Sequence, residues 1–534
     1  MGAAPTVSQT RLGPAESVDE MLRSRCAENP DKVMFRSIEQ GSAITYRQML
    51  DVTAQLGRLF DDLGLRANDR VAVLGENSLE FLIIALAAMR YGATFCPLNP
   101  EYLDGEIEKL LARARPKATF CHRSQAGREI GGAHGQLFYY EDWRSAAQAE
   151  ARPAADPDLF AAIAKYPVDR PPVPVSTGDS AGLIFHTSGT EGEPKGIVHS
   201  SRGFLTNAQN AVAIFEIGPQ DVLLEYRPYS WAAPFCFGCL TLLFSGATVV
   251  FAKKFSRSRF FDWIRDYRVT VVGGIPAVFN ALLSAGERVK RSDIPWLRFI
   301  TSSTAPLPAS QQKRFVETYD IPIVTLYGAT EGGWMAFTPP SSPRIGSVGK
   351  PAACAEMRIV DEAGKALPAG TVGEIEVGGV QRAIGYLLPD GSVQPYSSGR
   401  IRIGDLGVID ADGYLYITGR KKDLIIRGGE NVAPAEIDNV LLSHPDIADG
   451  AALGVPDPIY GEEVVCFVVP KEGRALGKDE VLRYCSERLA KFKVPRDVFF
   501  ADSIPKGEHG KVRRREMLEI WHGLKSGGKA AAQR

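Results

Sequence analysis

The stretch Thr187-Ser188-Gly189-Thr190-Glu191-Gly192-Glu193-Pro194-Lys195-Gly196 lies between two strand-like runs, Leu183–His186 and Ile197–His199. Three glycines, three hydroxyls and a lysine share this turn. Glycine allows close backbone approach, and successive N–H groups in such a turn form a concavity for anions. The hydroxyls add donors and Lys195 adds a point charge, so the turn suits a triphosphate. No helix opens directly after the lysine, which separates this loop from the Walker type.

Outward from this turn, apolar strand-like runs alternate with amphipathic helix-like ones, the pattern of a layered α/β fold. Val71–Leu74 precedes a helical stretch at Glu80–Arg90, and Ala93–Cys96 precedes another at Asp104–Arg113. Thr270–Gly273 runs through Ile275-Pro276 into a helix at Ala277–Leu283, and the strand Ile323–Leu326 ends at Tyr327-Gly328. Between residues 347 and 379, frequent Gly and Pro among short apolar runs indicate a small β subdomain. The polar turn Gly419-Arg420-Lys421-Lys422-Asp423 marks a boundary, giving an N-terminal unit of residues 1–419 and a C-terminal one of 420–534. In the second unit Pro434 opens a helix to Leu442. Strands near Ala451–Val455 and Glu463–Val469, a helix at Lys478–Lys491 and a strand at Asp497–Phe500 follow. The last dozen residues are expected to be a tail. The fold class is therefore α/β, with a large multi-layered N-terminal domain, a small β subdomain and a smaller α+β C-terminal domain.

At 534 residues the chain exceeds what one hydrophobic core supports. Its 62 basic and 63 acidic residues leave a net charge of -1, so no global field recruits nucleic acid or an anionic membrane. Eight scattered cysteines read as reduced core thiols of a cytoplasmic protein. Cys236 and Cys239 form a pair but lack further ligands for a metal. Tyr229–Ala252 is uncharged, yet Pro234, Gly238, Ser245 and Gly246 interrupt it. That makes it a buried helix, turn and strand, with no membrane span.

The glycine-rich string resembles the TSGTTGxPKG signature of the adenylate-forming superfamily, which comprises acyl- and aryl-CoA synthetases, luciferases and adenylation domains of peptide synthetases. Further matches follow in that superfamily's order. Tyr327-Gly328-Ala329-Thr330-Glu331 is similar to YGxTE, Ile403-Gly404-Asp405 to TGD and Gly419–Asp423 to GRxxD. Residues 429–437 resemble GxNxxPxEIE, and Lys506 with Gly510-Lys511 resembles the terminal PKxxxGK element. The resemblance runs from Thr45-Tyr46 to Arg515.

The resemblance implies an AMP-forming acid–thiol ligase of the acyl-CoA synthetase branch. Such an enzyme takes ATP and Mg²⁺ and has coenzyme A as co-substrate. Carboxylate and triphosphate are both anions, so positive charge must be aimed at the transition state. Lys511 takes that role by resemblance, reaching the carboxylate and the α-phosphate. Glu331 and Thr190 are the implied Mg²⁺ ligands, completing the catalytic set with Lys511. Thr187, Ser188, Gly189, Thr190 and Lys195 surround the phosphates. Ala305 and Pro306 line the adenine, and Tyr327 offers it a stacking face beside Gly328 and Thr330. Asp405 accepts from the ribose hydroxyls with Arg420 assisting. A hinge at Lys422 then swings Gly428 and Gly429 in, where a narrow pantetheine tunnel needs close backbone approach. None of the seven histidines forms a catalytic or metal cluster; His186 and His199 flank the phosphate loop as structural groups.

The sequence departs from the pattern at four places. Trp231 stands where a histidine is usual, and Ser302-Ser303-Thr304 replaces a glycine pair before Ala305-Pro306. Glu191 and Ile403 each replace a threonine. By resemblance the acyl pocket takes Trp231, Phe235, Gly273, Ile275, Ser303, Ala329 and Met335. This lining is mostly apolar, with no cation for a second carboxylate. An aromatic, alicyclic or medium-chain monocarboxylate is expected, with that small acid and coenzyme A as the partners. Two alternatives stay open: a stand-alone adenylating enzyme that loads a carrier-protein phosphopantetheine, and a non-catalytic nucleotide-binding protein on the same fold. Oligomeric state is open between monomer and homodimer.

Overall fold

The computed structural model describes residues 17–143, 158–168, 175–176, 178–187, 195–286, 289–507 and 510–525. Strand Arg70–Leu74 lies between Thr94–Leu98 and Ala118–His122, parallel to both, with Ala72 opposite Cys96 on one side and Thr119 on the other. Parallel strands need a crossover, and helix Leu79–Tyr91 supplies it. Every residue of that helix is buried, which its nearly unbroken apolar run requires. Ser78 caps its start by accepting from the Phe81 N–H, and Gly92 ends it in the left-handed conformation at φ 88.

These strands belong to an eight-stranded sheet that also holds the antiparallel pair Ala181–Thr187 and Lys195–Ser200, the two arms of the glycine-rich turn. A nine-stranded sheet runs parallel through Thr248–Phe251, Val222–Glu225, Val271–Val272, Phe299–Ser302 and Ile323–Ala329, then turns antiparallel into Gly333–Phe337. One hydrophobic core spans both sheets, with Phe95, Phe120, Phe185 and Leu223 among its fully buried members. Gly273 and Ser303 follow directly on the carboxyl ends of two parallel strands, Arg227 lies two residues past the end of a third, and Tyr327 lies near the end of a fourth. That is the edge at which open α/β sheets bind ligands.

The small β subdomain is a four-stranded antiparallel sheet of Glu356–Val360, Gly373–Gly378, Arg400–Ile409 and Leu415–Arg420. Residues 425–500 form a separate sheet with its own apolar clusters, flanked by helices Pro434–Leu442, Lys478–Ser486 and Arg514–Lys525. The last helix corrects the expected tail over residues 523–525. Its Met517 is fully buried and Leu518 and Trp521 pack beside it, so apolar burial holds the segment helical. Residues 526–534 lie outside the described residues.

The apolar run Tyr229–Ala252 resolves into short helical turns at Ala232–Phe235, Cys236–Leu240 and Thr241–Ser245, then the strand Thr248–Phe251. No described helix is long and apolar enough to cross a membrane. All eight cysteines are free thiols; burial pushes those of Cys236 and Cys239 up, away from the reactive thiolate.

Candidate active site

Tyr327 and Asp405 meet where the nine-stranded sheet abuts the β subdomain. The Tyr327 hydroxyl donates to Asp405 Oδ2 at 2.7 Å, and the two residues are 9% and 6% exposed. Register pairs Asp405 with Arg420 across the antiparallel strands, bringing Arg420 Nε to 2.9 Å from Oδ1. That approach is an ion pair without hydrogen-bond alignment, so Oδ1 keeps its lone pairs. Burial and the neighbouring carboxylate push the Tyr327 phenol well up, so it stays a donor.

Lys511 arrives at this place from the other end of the chain. Crowding by the cleft and repulsion from Arg420 lower its ammonium below the ordinary lysine range, with Asp405 and Glu331 opposing and Lys422 adding to the fall. The residue is exposed at the surface while its surroundings still desolvate the ammonium. Gly510 lies against the first turn of helix Pro276–Ala285, where an added Cβ would meet Ala277 at 4.0 Å. Ser310 donates to the Leu442 carbonyl at 3.4 Å, a second link between the N-terminal part and the 425–500 sheet.

Glu331 has a half-buried carboxylate that makes no side-chain hydrogen bond or ion pair among the described residues, on the turn that joins Ile323–Ala329 to Gly333–Phe337. Its hard oxygen donors fit Mg²⁺, which takes few protein ligands and completes its shell with water and substrate phosphates. Thr190, the other candidate ligand, lies outside the described residues, as do Ser188 and Gly189. Thr187 and Lys195 are described, opposite each other at the mouth of the hairpin.

Of two groups behind this turn, Asn207 escaped the sequence reading and His199 was expected there as a structural group. Asn207 accepts the Trp334 N–H at 2.7 Å and donates to the Gly203 and Gln381 carbonyls, fixing the Glu331 turn from below. His199 sits edge-on to Phe185 and Phe204, with the Thr330 backbone beside it and no aligned hydrogen bond to either ring nitrogen. Burial depresses both His199 and His186 to about 4, so both are neutral and neither is poised as a general base at neutral pH.

At the adenine segment, Thr304 adopts φ 77, a left-handed conformation costly for a β-branched residue. It turns the chain so that the Ala305 N–H reaches the Ser303 carbonyl at 2.9 Å; Ala305 is half-buried and Pro306 exposed. Along the acyl wall Trp231 and Ala329 are half-buried and Ile275 is 9% exposed. Phe235 and Met335 are fully buried; Phe235 stacks on Phe95 at 5.3 Å and Met335 packs under Gly332. Neither offers surface to an acyl group in this arrangement.

A cation does stand at this wall, but it is paired with a carboxylate and so is not free to greet a second one. Arg227, 3% exposed at its side chain, bonds Glu225 through Nε and Nη2 and Ser303 Oγ through Nη1 at 3.0 Å. Glu225 and Arg227 stand two residues apart at a strand end, the spacing that puts both on one face, and that was the available signal.

The turn Gly428-Gly429 carries positive φ at both residues, 59 and 91, as a tight hairpin demands. Its neighbours lie in its own sheet: the Gly428 N–H donates to Tyr460, and Arg427 pairs with Glu463 and covers the Tyr460 ring at 4.5 Å. Lys422 lies in the short helical turn Lys421–Asp423, and Arg514 links the Asp423 carboxylate, at 3.9 Å, to Asp438.

The geometry agrees with comparisons to known proteins. Residues 22–387 match the AMP-binding enzyme family and residues 436–511 match the AMP-binding enzyme C-terminal domain. The chain is 32% identical to an oxalate–CoA ligase of Arabidopsis thaliana over 94% of its length and 98% of the relative's. It is likewise 32% identical to an indoleacetate–CoA ligase of Aromatoleum aromaticum, over 94% and 98%. Among solved structures, ATP-bound MatB from Rhodopseudomonas palustris superimposes with a TM-score of 0.85 at 28% identity, over 95% of this chain and 100% of that one. A hairpin around a glycine-rich turn, a buried Tyr–Asp pair and a lysine brought to it from the far end of the chain thus have one common explanation: this protein belongs to the AMP-binding enzyme family, in its acyl-CoA synthetase branch.

Proposed function

We propose that this enzyme converts an aromatic, alicyclic or medium-chain monocarboxylate and ATP into acyl-AMP and pyrophosphate, then into acyl-CoA and AMP. The observation that carries this reading is the gathering of Lys511, Glu331, Asp405 and Arg420 from four separate stretches into one electrostatic neighbourhood. Lys511 lies between the two anions that must react and stabilises charge passing from the carboxylate to the α-phosphate. Asp405, held by Tyr327 and Arg420, accepts from the ribose hydroxyls through its open Oδ1. Glu331 would hold Mg²⁺, which supplies charge neutralisation at the phosphates.

The mixed anhydride carries AMP as a good leaving group, so thiol attack demands little base catalysis. For that step residues 420–534 would turn as a body about Lys422, withdrawing Lys511 and bringing Gly428-Gly429 to the acyl group. The relatives' names span oxalate, sulfoacetate, indoleacetate and fatty acids, so family membership alone does not choose the acid. The half-buried Trp231 face and Ile275 favour an apolar acyl body. The cytoplasm, with its ATP and coenzyme A, is the compartment this reaction needs.

The test is pyrophosphate release over a panel of aryl, alicyclic and fatty acids with and without coenzyme A. Turnover that depends on coenzyme A supports the reading. A single stoichiometric burst that coenzyme A does not relieve would overturn it in favour of a carrier-protein acceptor.

A further inference from the structure

Arg227 is built into the wall that the acyl group must meet. Its guanidinium carries five N–H donors, of which two go to Glu225 and one to Ser303. One N–H on each terminal nitrogen has no protein partner among the described residues. Leaving buried donors unpaired is costly, so a site that keeps them is waiting for an acceptor. Gly273 provides the access: a Cβ there would stand 2.5 Å from Nη2, so the bare glycine is what lets the guanidinium edge reach this wall. The position is also rigid. Asn77 bonds the Arg227 carbonyl at 2.9 Å and the Tyr229 N–H at 2.8 Å, locking the backbone on both sides.

The charge balance selects the ligand. Glu225 accepts from the Tyr226 and Arg227 backbone N–H groups as well as the guanidinium, as an ionised carboxylate does. Its negative charge cancels that of Arg227 within a site where the side chains are 0% and 3% exposed. A second carboxylate brought there would leave a net negative charge in a dry environment, which desolvation opposes. A neutral oxygen needs only the spare N–H groups.

We infer that the acid this enzyme activates carries a neutral hydrogen-bond acceptor on its acyl chain, a hydroxyl, keto or ether oxygen, which Arg227 reads at the wall made by Gly273 and Ser303. The inference rests on the acyl-CoA synthetase reading and narrows its substrate class to oxygenated monocarboxylates.

The experiment measures kcat/KM for pyrophosphate release on sets of three acids sharing a skeleton: the parent, its hydroxy or keto derivative, and the matching dicarboxylate. In the best set the oxygenated acid should exceed both others by at least about tenfold, because a site built to bond an oxygen rejects the analogue that lacks it. Replacing the pair together, Glu225→Leu with Arg227→Leu, should bring the ratio of oxygenated acid to parent toward one. Glu225→Gln alone frees the guanidinium charge and should raise the dicarboxylate relative to the parent by about tenfold or more. A wild-type preference for the parent or the dicarboxylate in every set overturns the inference without recourse to any variant. So does a doubly substituted enzyme that keeps the preference. Failure to release pyrophosphate with any acid overturns the ligase reading, and this inference with it.

Discussion

The Tyr327 hydroxyl and the Asp405 carboxylate are 2.7 Å apart, a bond between the main sheet and the β subdomain at the proposed nucleotide site. It orients one carboxylate oxygen and leaves the other open, so the tyrosine positions the group proposed to receive the ribose. Tyr327→Phe removes the donor and keeps the ring. A hydrogen bond to a charged group contributes roughly 1.5–3 kcal/mol, so KM for ATP should rise about tenfold or more. The KM for the acid should move far less, and steady-state kinetics with each substrate varied in turn separates the two.

Thr304 holds φ 77 between Ser303 and the adenine segment. Glycine adopts that conformation without a Cβ penalty, offset in part by its freer unfolded chain. Thr304→Gly should therefore stabilise the N-terminal part by about 1 kcal/mol, read as a higher apparent melting temperature. A lower melting temperature would show that the hydroxyl, 3.4 Å from Ser303 Oγ, outweighs the strain.

His199 titrates near 4 in the folded protein against 6.5 for an ordinary histidine, because burial disfavours its charged form. The unfolded chain then binds more protons between those values, so stability is present above pH 6.5 and is lost as pH falls toward 4. A shift of that size corresponds to about 3 kcal/mol. His199→Phe, which keeps a ring against Phe185 and Phe204, should move acid unfolding to lower pH. An unmoved midpoint contradicts the buried neutral assignment.

Lys511 has an ammonium lowered from the usual 10.5, chiefly by desolvation and then by Arg420. The kcat/KM of adenylation should therefore fall as pH rises through a value below 10.5, since the charged form is the active one. Thioester formation from a supplied acyl-adenylate should lack that limb. Lys511→Arg, whose guanidinium does not deprotonate, should remove the limb from any adenylation activity it retains.

Long periodic elements and motif strings were legible in the sequence. Helix Pro434–Leu442 and strand Asp497–Phe500 lie where the pattern put them, because an N-terminal proline and a short β-rich run act locally. Helix Leu79–Tyr91 was legible in the same way. What stayed hidden depends on pairing between distant segments. Nothing near Asp405 announces that Tyr327 bonds it, since that contact follows from two sheets abutting. Neither Asn207 nor Arg227 stood out in the sequence; packing makes one a clamp and brings the other to the proposed pocket wall. Phe235 was expected in the pocket lining by resemblance, whereas the structure buries it fully in a ring stack with Phe95. The carboxyl-terminal helix Arg514–Lys525 was not anticipated, because its apolar face is short.

The central claim is that Lys511 serves the first half-reaction from the position it holds beside Asp405 and Glu331, and leaves for the second. Single-turnover rates for both half-reactions in Lys511→Ala test it directly. Acyl-adenylate formation should fall by at least about a hundredfold, the scale of losing a preorganised charge at the transition state. Thioester formation from supplied acyl-adenylate and coenzyme A should stay within about threefold of the parent enzyme, a difference below 1 kcal/mol. Equal loss in both half-reactions would contradict the account, because one fixed arrangement would then serve both steps.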